Sequence, residues 1–114
     1  MFVPDELLRS CYRATGGQLL DVRPVYNRKG NVVAARLVSG EGAVTLANNS
    51  TETAWFRSLV SGAAAVCLLR GRFSLRGHRS PTQGQVAIYH GSAKGGFTEE
   101  FSKYGVVIYP TEHR

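Results

Sequence analysis

Apolar residues along this chain fall into short runs whose spacing changes several times, and those changes divide it into elements. Leu7, Leu8, Cys11 and Tyr12 recur at helical spacing, behind a start built from Pro4, Asp5 and Glu6. Proline tolerates the first turn and the acids complement the helix dipole, so a helix is predicted here, stopped by Gly16-Gly17. Two strand-like runs follow, 18–26 and 31–38, joined by Asn27-Arg28-Lys29-Gly30 as a hairpin loop. Pro24 removes a backbone donor, which predicts that the first of these strands lies at an edge.

Beyond Glu41-Gly42 a short apolar strand is predicted over 43–47. Asn48, Asn49, Ser50 and Thr51 then supply capping side chains ahead of a helix running to Val60 and closed by Gly62. Ala63 to Leu69 is apolar at every position, as expected of a central strand covered on both faces. From Arg70 the pattern alternates, placing Arg70, Arg72, Ser74 and Arg76 on one strand face and Phe73 and Leu75 on the other. A strand over 85–90, a glycine-rich loop over 92–96, a short helix over 97–103 and a last strand over 106–109 complete the pattern. The expectation is an α/β single domain over 1–114, with a helix and β-hairpin leading into a small two- or three-layer mixed sheet and a right-handed crossover.

Composition narrows the class. With 114 residues, 43% hydrophobic and 19% charged, the chain suits one globular domain. No apolar run approaches the roughly 18–20 residues that span a bilayer, and the acidic N-terminus does not read as a targeting segment, so no membrane partner and a cytoplasmic setting are expected. Cys11 and Cys67 lack metal-ligand spacing and read as buried free thiols. The net charge of +6 is uneven: residues 43–80 carry five basic side chains against one acid, whereas 81–114 carry three of each. Arg70, Arg72, Arg76 and Arg79 fall within ten residues, a cluster that favours a polyanionic partner.

The segments Gly42 to Phe56, Cys67 to Phe73, Ser80 to Gly91 and Phe97 to Gly105 occur in an order that resembles the C-terminal half of the phage and prophage Dam-like DNA N6-adenine methyltransferases. The resemblance implies that residues 42–110 are the later part of a Rossmann-like methyltransferase sheet, while 1–41 have no counterpart. It implies a setting inside the host cell of a phage or prophage. It also places the Asn48–Phe56 loop near a base and donor pocket, and the Arg70-Gly71-Arg72 run on a sheet extension that faces nucleic acid.

The residues that would perform methyl transfer are not in the sequence. The family's Asp- or Asn-Pro-Pro-aromatic tetrapeptide has no equivalent, because the prolines at 4, 24, 81 and 110 are never adjacent. Gly40-Glu41-Gly42 lacks a further glycine and precedes a strand instead of following one. No catalytic residue, metal or cofactor is therefore assigned, and S-adenosylmethionine enters only if another chain completes the site. Glu99-Glu100 reads as a solvated pair, and Tyr89, Phe97, Phe101 and Tyr104 as core.

Arg70, Arg72, Arg76 and Arg79, with Asn48, Asn49 and Thr51, are the candidate nucleic-acid-binding residues. Arginines two apart on a strand face are roughly 6–7 Å apart, and their guanidinium forks match phosphate. Three functions are compatible with this reading. The chain is a non-catalytic DNA- or RNA-binding module, one half of a split methyltransferase completed by a complementary chain, or a mobile-element inhibitor of a host defence protein, of anti-CRISPR or anti-restriction type.

Overall fold

The computed structural model describes residues 5–17, 21–26, 28–30, 32–39, 42–48, 54–70, 85–92 and 94–110. These form three helices and one six-stranded sheet: α1 (Asp5–Ala14), β1 (Asp21–Tyr26), β2 (Val32–Ser39), β3 (Gly42–Asn48), α2 (Ala54–Ser61), β4 (Ala65–Leu69), β5 (Gln85–Gly91), α3 (Lys94–Phe101) and β6 (Gly105–Ile108). The strand order is β1-β2-β3-β5-β4-β6. The predicted opening helix, hairpin and edge strand all form. Pro24 lies in β1 at the end of the sheet, and Gly30 takes φ +85° in the connecting turn.

The sheet is not mixed. Every neighbouring pair is antiparallel, because β5 lies between β3 and β4, and β4 lies between β5 and β6. The parallel relationships expected of crossovers survive one strand further apart. Both β3 and β4 oppose β5, so they are parallel to each other, and β5 and β6 are parallel for the same reason. Two crossovers thus interleave, each stepping two places in the same direction along the sheet. Their first strands run oppositely and their helices lie on opposite faces, so the two share one hand.

Two apolar clusters mark the layers. On one face Leu7, Cys11 and Ala14 of α1 and Phe97 and Phe101 of α3 meet Ala35, Leu37, Val44, Leu46, Cys67, Ala87 and Tyr89. Leu7, Ser10, Cys11 and Ala14 of α1 are buried at i, i+3, i+4 and i+7, the stripe a helix needs to lie on a sheet. On the other face Phe56, Leu59 and Val60 of α2 cover Ala34, Ala47, Val66, Val86 and Ile88. The result is three layers.

Tyr89, Phe97 and Phe101 are core, as expected, while Tyr104 is half-buried and packs against them. Successive ring centroids lie 5.1, 4.5 and 5.6 Å apart, the first two contacts stacked and the last edge-on. Cys11 and Cys67 are free and buried. Burial pushes the Cys11 thiol up to about 12, with the Glu100 charge adding to the effect. Cys67 rises to about 11 by burial, partly offset by Arg70.

Three local expectations change. Gly95 and Gly96, expected in a loop, are inside α3, which starts at Lys94. Burial of Phe97 and Phe101 at i, i+4 outweighs the weak helix propensity of the two glycines. Strand β4 is covered on both faces only as far as Cys67, because Leu68 is 41% exposed on the α2 side, where it pairs with Val106 of the edge strand. Glu100 is not solvated, for reasons that belong to the site below.

Candidate nucleic-acid interface

The strand registers bring two of the sequence-derived candidates to one end of the sheet. Asn48 opposes Gln85, Gln85 opposes Leu69, and Leu69 opposes Gly105, forming a row across β3, β5, β4 and β6. Asn48 closes β3 and Arg70 follows the end of β4, two strand spacings or roughly 10 Å apart across the sheet. The carboxyl ends of strands joined by crossover helices are where α/β sheets commonly receive ligands. Residues 49–53 and 71–84 follow directly from this end and lie outside the described residues. Asn49, Thr51, Arg72, Arg76 and Arg79 are therefore not placed, and neither is the Asn48 side chain.

Arg70 departs from the sequence expectation. It does not stand on an alternating strand face, because β4 ends at Leu69 and Arg70 occupies a bend. Its backbone N–H donates to the Tyr104 carbonyl at 2.8 Å, and its guanidinium Nη2 donates to the Lys103 carbonyl at 2.6 Å. Arg70 thus ties the end of β4 to the segment between α3 and β6. The Arg70 side chain is exposed, and among the described residues its guanidinium contact is the Lys103 carbonyl.

That contact brings together cations which the sequence pattern did not group. Lys103 Nζ and Arg13 Nη1 each lie 2.9 Å from Glu100 Oε2, with the lysine and arginine side chains 52% and 55% exposed and the glutamate only 14%. Ser10 Oγ donates to the same oxygen at 2.8 Å and lies 2.6 Å from the Tyr104 hydroxyl. Since the single serine proton goes to the carboxylate, the tyrosine is the donor in that second bond. Burial acts to raise the Glu100 pKa, but the hydrogen bonds from Lys103, Ser10 and Arg13 and the lysine charge outweigh it, and the carboxyl titrates below its usual value.

Arg13 and Lys103 thus share the Glu100 carboxylate, and Arg70 joins them through the Lys103 backbone carbonyl. Arg9, one turn before Arg13 on the same side of α1, is also exposed. Glu99 is exposed on α3 but diverges from Glu100 by about 100° around the helix. The cluster can contact phosphates through guanidinium and ammonium groups without a dedicated carboxylate for each charge.

The signal missed in the sequence was tertiary. Arg13 and Lys103 are far apart in the chain and meet only because α1 packs along α3. Among the described residues no group of three or more His, Cys, Asp or Glu could hold a metal ion, and no helix is long and apolar enough to cross a membrane. No family model, curated protein or solved structure matches the chain.

Proposed function

We propose that this chain binds nucleic acid through the cationic sheet end around Arg70, without itself transferring a methyl group, on a scaffold related to the adenine methyltransferases. The supporting observation is that Arg70 holds the Lys103 carbonyl while Lys103 and Arg13 share the largely desolvated Glu100 carboxylate, at the sheet end that also carries Asn48. Contacts of this kind neutralise phosphates and release counterions, giving strong salt dependence and little base readout. Arg72, Arg76 and Arg79 continue the basic run in sequence and are proposed to add to the same footprint.

A salt series with a labelled duplex and a labelled single strand tests this. Wild type is expected to bind at low salt, with log affinity falling linearly in log salt. Arg70→Ala and Lys103→Ala are each expected to lower the slope by about 1. Failure to retain either nucleic acid at low salt would end this reading. A titration with S-adenosylmethionine is expected to show no binding by the isolated chain.

One observation favours a second reading, in which a complementary methyltransferase chain completes the sheet. Leu68, Val106 and Ile108 share the α2 side next to the β6 edge and are 41%, 61% and 44% exposed. An edge strand lined by apolar residues invites another strand. Sedimentation that stays monomeric when a candidate partner chain is added, with Val106→Lys having no effect on any association, argues against it.

A further inference from the structure

We propose that Arg23 and Arg36 form a two-arginine cradle for a phosphate group on the α2 side of the β1–β2 hairpin. The argument starts from register. Arg23 pairs directly with Arg36, Arg36 with Thr45, and Thr45 with Ile88. Ile88 belongs to the apolar cluster beneath α2, so this whole row, including both guanidinium groups, lies on that face. Directly opposed residues on an antiparallel pair hold their Cβ atoms roughly 4.5–5.5 Å apart, and like charges so placed repel.

Little nearby offsets that repulsion. Arg23 contacts Asp21 at 2.7 Å, but the two side chains are 62% and 63% exposed and the pair is weak. Arg36 is half-buried, and among the described residues its side-chain contact is the hydroxyl of buried Thr45, at the long distance of 3.5 Å. Among the described residues no carboxylate lies within ion-pair distance of Arg36, and α2, the helix over this face, contains no acid.

The next row runs through Asp21, Val38, Ala43 and His90, and its carboxylate, Asp21, is bonded to Arg23. His90 opposes Ala43, the Nε2–H of its ring donates to the Leu59 carbonyl at 2.8 Å, and Nδ1 is buried with no partner. The ring is neutral in this arrangement and cannot serve as an anion. Two in-register arginines, one of them partly desolvated and without an ion-pair partner among the described residues, form an arrangement that a tetrahedral oxyanion completes. Phosphate offers oxygens to both planar forks at once, which a lysine pair would match less well.

This cradle is separate from the Arg70 cluster. Arg13 and Lys103 meet on the α1/α3 side, whereas Arg23 and Arg36 lie on the opposite face. Strands β2 and β4 are three spacings apart, about 14 Å. The phosphate could come from a nucleic-acid backbone or from a free phosphorylated molecule, and two experimental arms separate these sources.

Inorganic phosphate and a short DNA duplex are titrated at low salt into wild type, Arg36→Ala, Arg23→Ala, Arg36→Lys and Arg70→Ala, with melting temperatures recorded alongside. Phosphate is expected to raise the wild-type melting temperature. Each alanine variant at 23 or 36 should lose at least about tenfold in phosphate affinity, with Arg36→Lys intermediate. Without phosphate, Arg36→Ala should melt no lower than wild type, because it relieves repulsion.

A drop of about 1 in the DNA salt slope for Arg36→Ala identifies a nucleic-acid source, and an effect confined to inorganic phosphate identifies a free one. Both support the cradle. Wild-type affinity for phosphate and DNA in both alanine variants overturns it. Loss of DNA binding in Arg70→Ala with phosphate binding intact speaks only to the other site.

Discussion

Gly105 is where a single methyl group does the most damage. It opens β6 opposite Leu69. A Cβ there would overlap the Leu68 carbonyl oxygen, lie 2.8 Å from the Leu68 carbonyl carbon and 3.1 Å from the Leu69 Cα. All three obstacles are backbone, so no rotamer change relieves them. Gly105→Ala must push β6 away from β4, a ladder of four paired positions on which the Arg70 N–H to Tyr104 carbonyl bond also depends. Losing two or three such bonds at about 1 kcal/mol each, or overpacking of the usual 1–3 kcal/mol, gives about 3 kcal/mol of destabilisation. That is a large share of the roughly 5–15 kcal/mol available to a domain. Gly96→Ala is the matched control, since an added Cβ inside α3 meets nothing within 4 Å. Removing glycine's backbone entropy from a helix should stabilise it by about 0.5–1 kcal/mol. Urea unfolding followed by circular dichroism reads both. If Gly105→Ala costs less than about 1 kcal/mol, the close β4–β6 approach is wrong.

Cys11 and Cys67, buried with raised pKa values, should resist a thiol reagent at pH 8 in the native state and react together on unfolding; rapid native labelling of either would contradict their placement. Burial lowers the His90 pKa below 6.5, Arg36 lowers it further, and the bond to Leu59 only partly opposes them. The neutral ring is therefore preferred in the fold, and its stabilising contribution is present above pH 6.5 and lost as pH falls through the lower folded value. His90→Gln should flatten the stability profile in that window, and an unchanged slope would refute the assignment. Glu100 contributes in a separate window: its folded pKa lies below 4.5, so its stabilisation is full above that pH and disappears as acid protonates it. Glu100→Gln should remove that acid-side loss, and a variant profile superimposable on wild type below pH 4.5 would count against the shared carboxylate.

Much of the fold was legible because its signals are local. The α1 stripe from Leu7, the hairpin around Gly30 and Pro24 on an edge each follow from spacing or backbone chemistry within a few residues. Strand order was not legible. An apolar run such as Ala65–Leu69 reads the same whether its neighbour is parallel or antiparallel, so insertion of β5 between β3 and β4 left no local trace. The start of α3 was missed because glycine propensity says loop, while burial of Phe97 and Phe101 is decided by what lies beneath them. At the candidate site the arginine cluster from Arg70 was visible as composition. The roles of Arg13, Lys103 and Glu100 required knowing that α1 packs on α3.

The same packing links the tightest backbone contact to the proposed interface. The chain passes from Glu100 through Lys103 and Tyr104 into Gly105, and Arg70 follows Leu69, the residue paired with Gly105. Close approach of β6 to β4 therefore sets where the Lys103 carbonyl meets the Arg70 guanidinium, and through Glu100 it also positions Arg13. The ladder thus fixes the Lys103 carbonyl that Arg70 binds, while Lys103 and Arg13 share the Glu100 carboxylate. An interface of this kind should weaken when the ladder shifts, even with every cation present. Gly105→Ala, assayed at a temperature where it remains folded, should lose nucleic-acid affinity without losing a charge, a result that simple electrostatics of a basic surface does not predict.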